Sequence, residues 1–178
     1  MNARRAAKSP RNRSGWRHCT WLVVAAMAVW ILATPAPEAP AQTGPEEIGR
    51  LTDAFLESFN RDLAGGDVEA WLSHWADDAV RASSTQTWNG KGQIRNAYIE
   101  VLRTWSDPRL TGERRRVIQG NTVAWEGEFA ATFEQNGRPV RVPIAIFLAF
   151  DGAGQVQSAR FYLDTRYLID QIEGPARP

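Results

Sequence analysis

The hydrophobic period of the chain changes once, near Arg109, from helical spacing to strand alternation. Ahead of that point Ile48, Leu51, Phe55, Phe59 and Leu63 recur down one helical stripe. Val68, Trp71, Leu72 and Trp75 form a second stripe, and Ile94, Tyr98, Val101, Leu102 and Trp105 a third. Beyond it, Val123, Trp125, Phe129 and Phe133 alternate with Glu126, Glu128 and Glu134. Three amphipathic helices followed by four long strands leave few folds open. The apolar stripes need a common partner, and an antiparallel sheet bent over them supplies one. The expected fold class is α+β: a cone-shaped, curved antiparallel sheet packed on three N-terminal helices, with a short C-terminal helix at Tyr167, Leu168 and Ile172.

Local signals mark the joints. Thr43-Gly-Pro-Glu46 has capping-box spacing with Pro45 in the first turn. Gly65-Gly66 ends the first helix, and Asp67 is placed to cap the second. Asn89-Gly90 is a turn signal, and Asp107-Pro108 closes the third helix. Asn136-Gly137 predicts a hairpin, and Asp151-Gly152-Ala153-Gly154 turns the chain into its last strand. Val140 to Phe150 is apolar at nearly every position, so both faces of that strand are expected to be covered. The second face is then a candidate homodimer interface, unless the terminal helix covers it.

The first 41 residues have a different character. Residues 1–18 carry six Lys/Arg and no acid, and residues 20–33 form a mostly apolar run of 14 without charge. Ala39-Pro40-Ala41 then offers a small-residue cleavage site. Residues 1–41 read as a signal peptide or an uncleaved signal-anchor, 42–47 as a linker, 48–173 as one folded domain and 174–178 as a tail. The protein is expected to be secreted or periplasmic, or membrane-anchored if the leader stays. The remaining 137 residues hold 15 Lys/Arg and 19 Asp/Glu, so the folded part is mildly acidic. That charge gives no reason to bind nucleic acid. Cys19, the single cysteine, lies in the leader, and His74 is the single histidine after it, which argues against a zinc site.

Several stretches resemble the SnoaL-like branch of the nuclear transport factor 2-like superfamily. They are Phe55-Leu-Glu-Ser-Phe-Asn60 with Gly65-Gly66-Asp67, Trp75-Ala-Asp-Asp-Ala-Val80, Gly90-Lys-Gly-Gln-Ile94, Phe150-Asp-Gly-Ala-Gly-Gln-Val156 and Arg160-Phe-Tyr-Leu-Asp164. The resemblance spans about residues 46–173 and implies a pocket between sheet and helices, frequent homodimers and cofactor-free chemistry where there is catalysis. It does not imply one function, since relatives include cyclases, isomerases, dehydratases, epoxide hydrolases and assembly modules. The ketosteroid-isomerase pattern is not met. Ala82-Ser83-Ser84 stands at the base region, Phe55 and Phe59 where a Tyr is needed, and Ile146 near the second acid.

The expected site follows from these placements. Asp164 is the candidate general acid/base, or else the cap of the terminal helix. Arg160 and Tyr162 alternate with it on one strand face, where Arg160 would bind an anion or neutralise Asp164. His74 stands beside Trp71 and Trp75 as a further candidate. Phe55, Phe59, Trp71, Trp75, Trp88 and Trp125 are the expected pocket wall, with Trp88 in a polar loop at its mouth. The ligand expected is a small, mostly apolar molecule, with no cofactor and no metal. The alternative is a non-catalytic ligand-binding or assembly domain of the cell envelope.

Overall fold

The computed structural model describes residues 44–174; the leader and the extreme C-terminus lie outside the described residues. Helix α1 (Pro45–Ser58) starts on Pro45, inside the segment expected to be linker, and runs into a π-helical turn at Phe59–Leu63. A short α2 (Val68–Leu72) follows, capped as expected by the Asp67 carboxylate, which accepts the Ala70 N–H at 2.9 Å. Strands β1 (Trp75–Ala82) and β2 (Thr87–Asn89) precede α3 (Gly90–Thr104). Then come β3 (Trp105–Gln119), β4 (Thr122–Phe133), β5 (Arg138–Phe150), β6 (Val156–Leu163) and α4 (Thr165–Glu173).

The sheet has six strands in the order β2-β1-β6-β5-β4-β3, and it is open. All neighbours are antiparallel except β1 and β6. The sequence expectation of four strands thus misses β1 and β2. Helical spacing includes Trp75 in the second stripe, yet Trp75 opens β1, and Trp105 opens β3 instead of closing α3. Both are apolar at positions where a short helix and a strand bury the same residue, so spacing alone cannot separate the two.

The concave face carries the core. Phe55, Trp71, Trp75 and Tyr98 interlock between helices and sheet, with ring centroids 4.4 Å apart for Phe55–Trp71 and 5.4 Å for Trp71–Tyr98. Along β5, Val140, Val142, Ile144, Ile146, Leu148 and Phe150 point inward while the residues between them are more exposed. This corrects the expectation that both faces of β5 are covered. Within the chain the outer face is open, and Phe147 and Tyr162 stand 43% and 42% exposed there, edge to face at 5.9 Å.

Helix α4 does not cover that face. It fills the space where β6 stops and β5 continues, and the Gln171 side chain takes the place of a missing strand. Its Oε1 accepts the Arg141 N–H at 2.9 Å and its Nε2 donates to the Arg141 carbonyl at 3.1 Å. Asn60 performs the same service on the edge strand β3. The π-turn carries its amide to Leu110, donating to the Leu110 carbonyl at 2.8 Å and accepting its N–H at 2.7 Å. Leu110 and Leu168 are thereby fixed at two sides of the concave space.

Candidate functional site

Between the sheet and α3 the concave face leaves a partly enclosed hollow of about 130 Å³. Its wall is drawn from nearly every element: Phe59 of the π-turn, Tyr98 of α3, Leu110 of β3, Phe129 of β4, Ile144 of β5 and Phe161 of β6 are among the lining residues. The larger depressions are open grooves, among them one of about 320 Å³ beside Trp88 and Gln93. Another of about 560 Å³ runs along Glu57, Asn60, Arg61 and Arg109, and one of about 520 Å³ crosses the outer sheet face beside Phe147, Arg160 and Tyr162. None of them shelters a ligand from water, whereas small-molecule sites bury most of what they bind.

One charged side chain lines the hollow. Arg81 on β1 shares an inward face with the buried Ala79 and lies opposite Trp88 on β2. Its guanidinium sits over three rings, 4.3 Å from the Trp88 centroid, 4.9 Å from Tyr98 and 5.0 Å from Phe161. Each such contact contributes about 0.5–2 kcal/mol, depending on how dry it is. Among the described residues Arg81 forms no ion pair, and its buried Nε has no hydrogen-bond partner. The Tyr98 hydroxyl is also buried without a partner. Burial pushes the Tyr98 phenol up, while the charge of Arg81 and the nearby Arg81 and Trp71 donors pull against it, so the hydroxyl stays neutral at physiological pH with its O–H free to donate.

Sequence reasoning missed Arg81 and did not single out Tyr98 beyond its helical stripe. The irregular pairing of β1 between Trp75 and Val80 breaks the alternation that would have placed Arg81 on the inner face. A usable signal in the sequence is the apolar Ala79 two residues earlier, which strand alternation puts on the same face as Arg81.

The residues expected to form the site are dispersed. Strand β6 has the opposite phase from the one the candidate chemistry needed: Ala159, Phe161 and Leu163 turn inward, while Arg160 and Tyr162 are exposed on the outer face. Asp164 is exposed at the N-terminus of α4, where its Oδ1 accepts the Tyr167 N–H at 2.9 Å. Of its two sequence-stated roles, capping is the one this geometry realises, and no carboxylate lines the hollow. His74 lies half-buried between α2 and β1, away from the hollow wall. Burial lowers its pKa, the Asp62 charge opposing, and its carbonyl accepts the Val156 N–H at 2.8 Å.

Of the expected pocket wall, Phe59 alone lines the hollow. Phe55, Trp71 and Trp75 are fully buried core and line none of these depressions. Trp125 is folded over Gly127 and donates its Nε1–H to Glu113 at 2.8 Å. Trp88 belongs to β2 instead of a loop, and it braces Arg81 from behind the wall. Among the described residues, no group of three or more His, Cys, Asp or Glu is placed to hold a metal ion, and no helix is long and apolar enough to cross a membrane.

Comparison with known proteins agrees with this architecture. A polyketide cyclase assignment from Xanthomonas campestris pv. campestris superposes with a TM-score of 0.65 at 18% identity, covering 73% of this chain and 99% of the other. A SnoaL-like polyketide cyclase assignment from Jannaschia sp. CCS1 gives 0.65 at 13% identity, covering 80% and 100%. An LEH-like epoxide hydrolase of M. tuberculosis gives 0.59 at 17% identity, covering 73% and 92%. Identities this low carry the fold and not the reaction. The SnoaL-like domain profile matches residues 53–158, more than half of the chain. With its open six-stranded sheet, helical cover and short C-terminal helix, the chain belongs to the SnoaL-like domain family of the nuclear transport factor 2-like superfamily.

Proposed function

We propose that this SnoaL-like domain binds one small, mostly apolar molecule in the hollow beneath α3. The observation that carries the reading is a partly enclosed apolar space with one charged side chain and one neutral phenol in its wall. The volume, about 130 Å³, sets the scale of the ligand. An engineered protein cavity of about 150 Å³ takes benzene, so this hollow suits a single ring or a short branched chain. Acid/base catalysis through Asp164 lacks support, because that carboxylate is committed to a helix end. The relatives' names, cyclase and epoxide hydrolase, are compatible with a pocket domain but do not transfer a reaction.

Toluene is the probe that tests the reading. It should saturate the full-length chain with a shift in tryptophan fluorescence and a raised unfolding temperature. Ile144→Phe, which fills the hollow, should abolish the binding while leaving the fold stable. Absence of saturable toluene binding would remove the proposal.

Two further proposals concern context. Export rests on the basic and apolar leader, and is checked by the intact mass and fractionation of the protein from its own host. Homodimerisation through the outer sheet face rests on the exposed Phe147–Tyr162 pair. Sedimentation should show a dimer that Phe147→Asp converts to monomer.

A further inference from the structure

We propose that Arg81 and Tyr98 form an anion-recognition pair, so that the hollow is selective for a small apolar acid, its carboxylate on Arg81 and its apolar body against Leu110, Phe129 and Ile144. This rests on the hollow being the binding site, and deepens it by naming the ligand class.

The argument starts from what holds Arg81. Three ring faces surround its guanidinium within 4.3–5.0 Å. Attraction to a ring quadrupole acts on the charge and consumes no N–H donor. Among the described residues Arg81 has no carboxylate or carbonyl partner, its buried Nε lacks an acceptor, and its guanidinium lies close to the Tyr98 hydroxyl. A structural arginine in an apolar wall is ordinarily matched by a carboxylate, because an uncompensated buried charge is costly. Arg81 is half-buried, and here the rings fix its position and offset part of its desolvation without supplying an acceptor.

The second orphan sits beside it. The Tyr98 hydroxyl is buried without a hydrogen-bond partner, and its ring is one of the three that hold Arg81. Arg81 and Trp71 can only donate toward the phenol oxygen, so the Tyr98 O–H and the Arg81 Nε–H both lack an acceptor, and two such donors on adjacent side chains at one hollow call for one acceptor group. A carboxylate fits, since its two oxygens accept a bidentate pair from a guanidinium and retain lone pairs for a phenol. The remaining wall residues named above offer only hydrocarbon surface, so the rest of the ligand is apolar and about one ring in size.

Benzoate, benzamide and toluene separate the claims when titrated against the full-length chain by tryptophan fluorescence and calorimetry. Toluene alone reads the hollow, and the preference for benzoate over its neutral isostere benzamide reads the charge. Benzoate is expected to bind about 10- to 100-fold tighter than benzamide, the range of charge-assisted hydrogen bonds. Arg81→Met keeps an apolar side chain of similar length against the rings, and the benzoate-to-toluene affinity ratio should fall about 10- to 100-fold. Tyr98→Phe should lower the same ratio about three- to tenfold and serves if Arg81→Met does not fold. Toluene binding without any benzoate preference, or a preference that survives both substitutions, would overturn the anion pair and leave the apolar hollow standing. Failure of toluene and benzoate alike would overturn both.

Discussion

Replacing Asn60 by Ala should cost about 2–3 kcal/mol of folding stability, a large effect for one part-buried side chain. The figure comes from its position. Strand β3 is an edge of the sheet, and Leu110 pairs with Phe129 on its other side. The outward N–H and carbonyl of Leu110 have no strand to meet, and the Asn60 amide satisfies both, at 2.7 and 2.8 Å. Each bond contributes about 1 kcal/mol net, and stranding the donor of a residue that is only 4% exposed adds part of a desolvation penalty. Asn60→Leu preserves volume while removing the polar groups, so any loss it shares with Asn60→Ala is the hydrogen-bond contribution and not a cavity. Urea unfolding followed by tryptophan fluorescence gives both values, and amide exchange at Leu110 reports the local opening. Losses below about 0.5 kcal/mol in both variants would refute the view that the π-turn anchors β3 through this residue.

The other predictions concern packing, capping and pH. Gly127→Ala would drive a methyl into the Trp125 indole and within 2.7 Å of the Thr111 carbonyl, costing about 1–3 kcal/mol or more; the thermal midpoint and the Trp125 Nε1–H resonance should both shift. Asp164→Ala should lose about 1 kcal/mol from the α4 cap without altering the benzoate-to-toluene ratio; a collapse of that ratio would reinstate Asp164 as a site residue. Burial lowers the His74 pKa from 6.5 in the unfolded chain, so the unfolded state binds the extra proton. Its stabilising contribution is full above pH 6.5 and is lost as pH falls through the folded value, and His74→Gln should flatten stability across that window. Asp62, held to about 2 by Arg61 and Ser58, adds a second acid loss between pH 3.8 and 2 that Asp62→Asn should remove.

The parts of the fold that could be read from sequence are those where one local signal and one long-range need coincide. Asp67 caps α2 because its carboxylate reaches an N–H three residues on, a purely local matter. Asn136-Gly137 turns β4 into β5 with Gly137 at a φ of 68°, which its lack of a Cβ permits. The alternation of Val123, Trp125 and Phe129 is the sheet's own period. Strand β1 is not legible because it pairs irregularly with β6, far along the sequence, and β2 because it is three residues long and pairs only with β1. The apolar run of β5 misled for another reason: Pro143, Ala145 and Phe147 are apolar yet face outward, and composition carries no direction.

The site was less legible than the fold, and strand phase explains the difference. Alternation puts Arg160, Tyr162 and Asp164 on one face of the last strand, and the expected site needs that face to be the inner one. A strand that closes an apolar core turns its apolar alternates inward, and Ala159, Phe161 and Leu163 hold that place. Polar clustering on the expected strand was thus a mark of the outer face. Among the described residues lining the hollow the one cation is Arg81 of β1, on the same inward face as Ala79 and under the Tyr98 ring of α3. Three aromatic rings from β2, α3 and β6 then compensate for what a buried cation loses in leaving water, without supplying an acceptor for its donors. The functional character of the hollow therefore follows from a mismatch: its charge is held in place by packing, and its hydrogen bonds await a ligand.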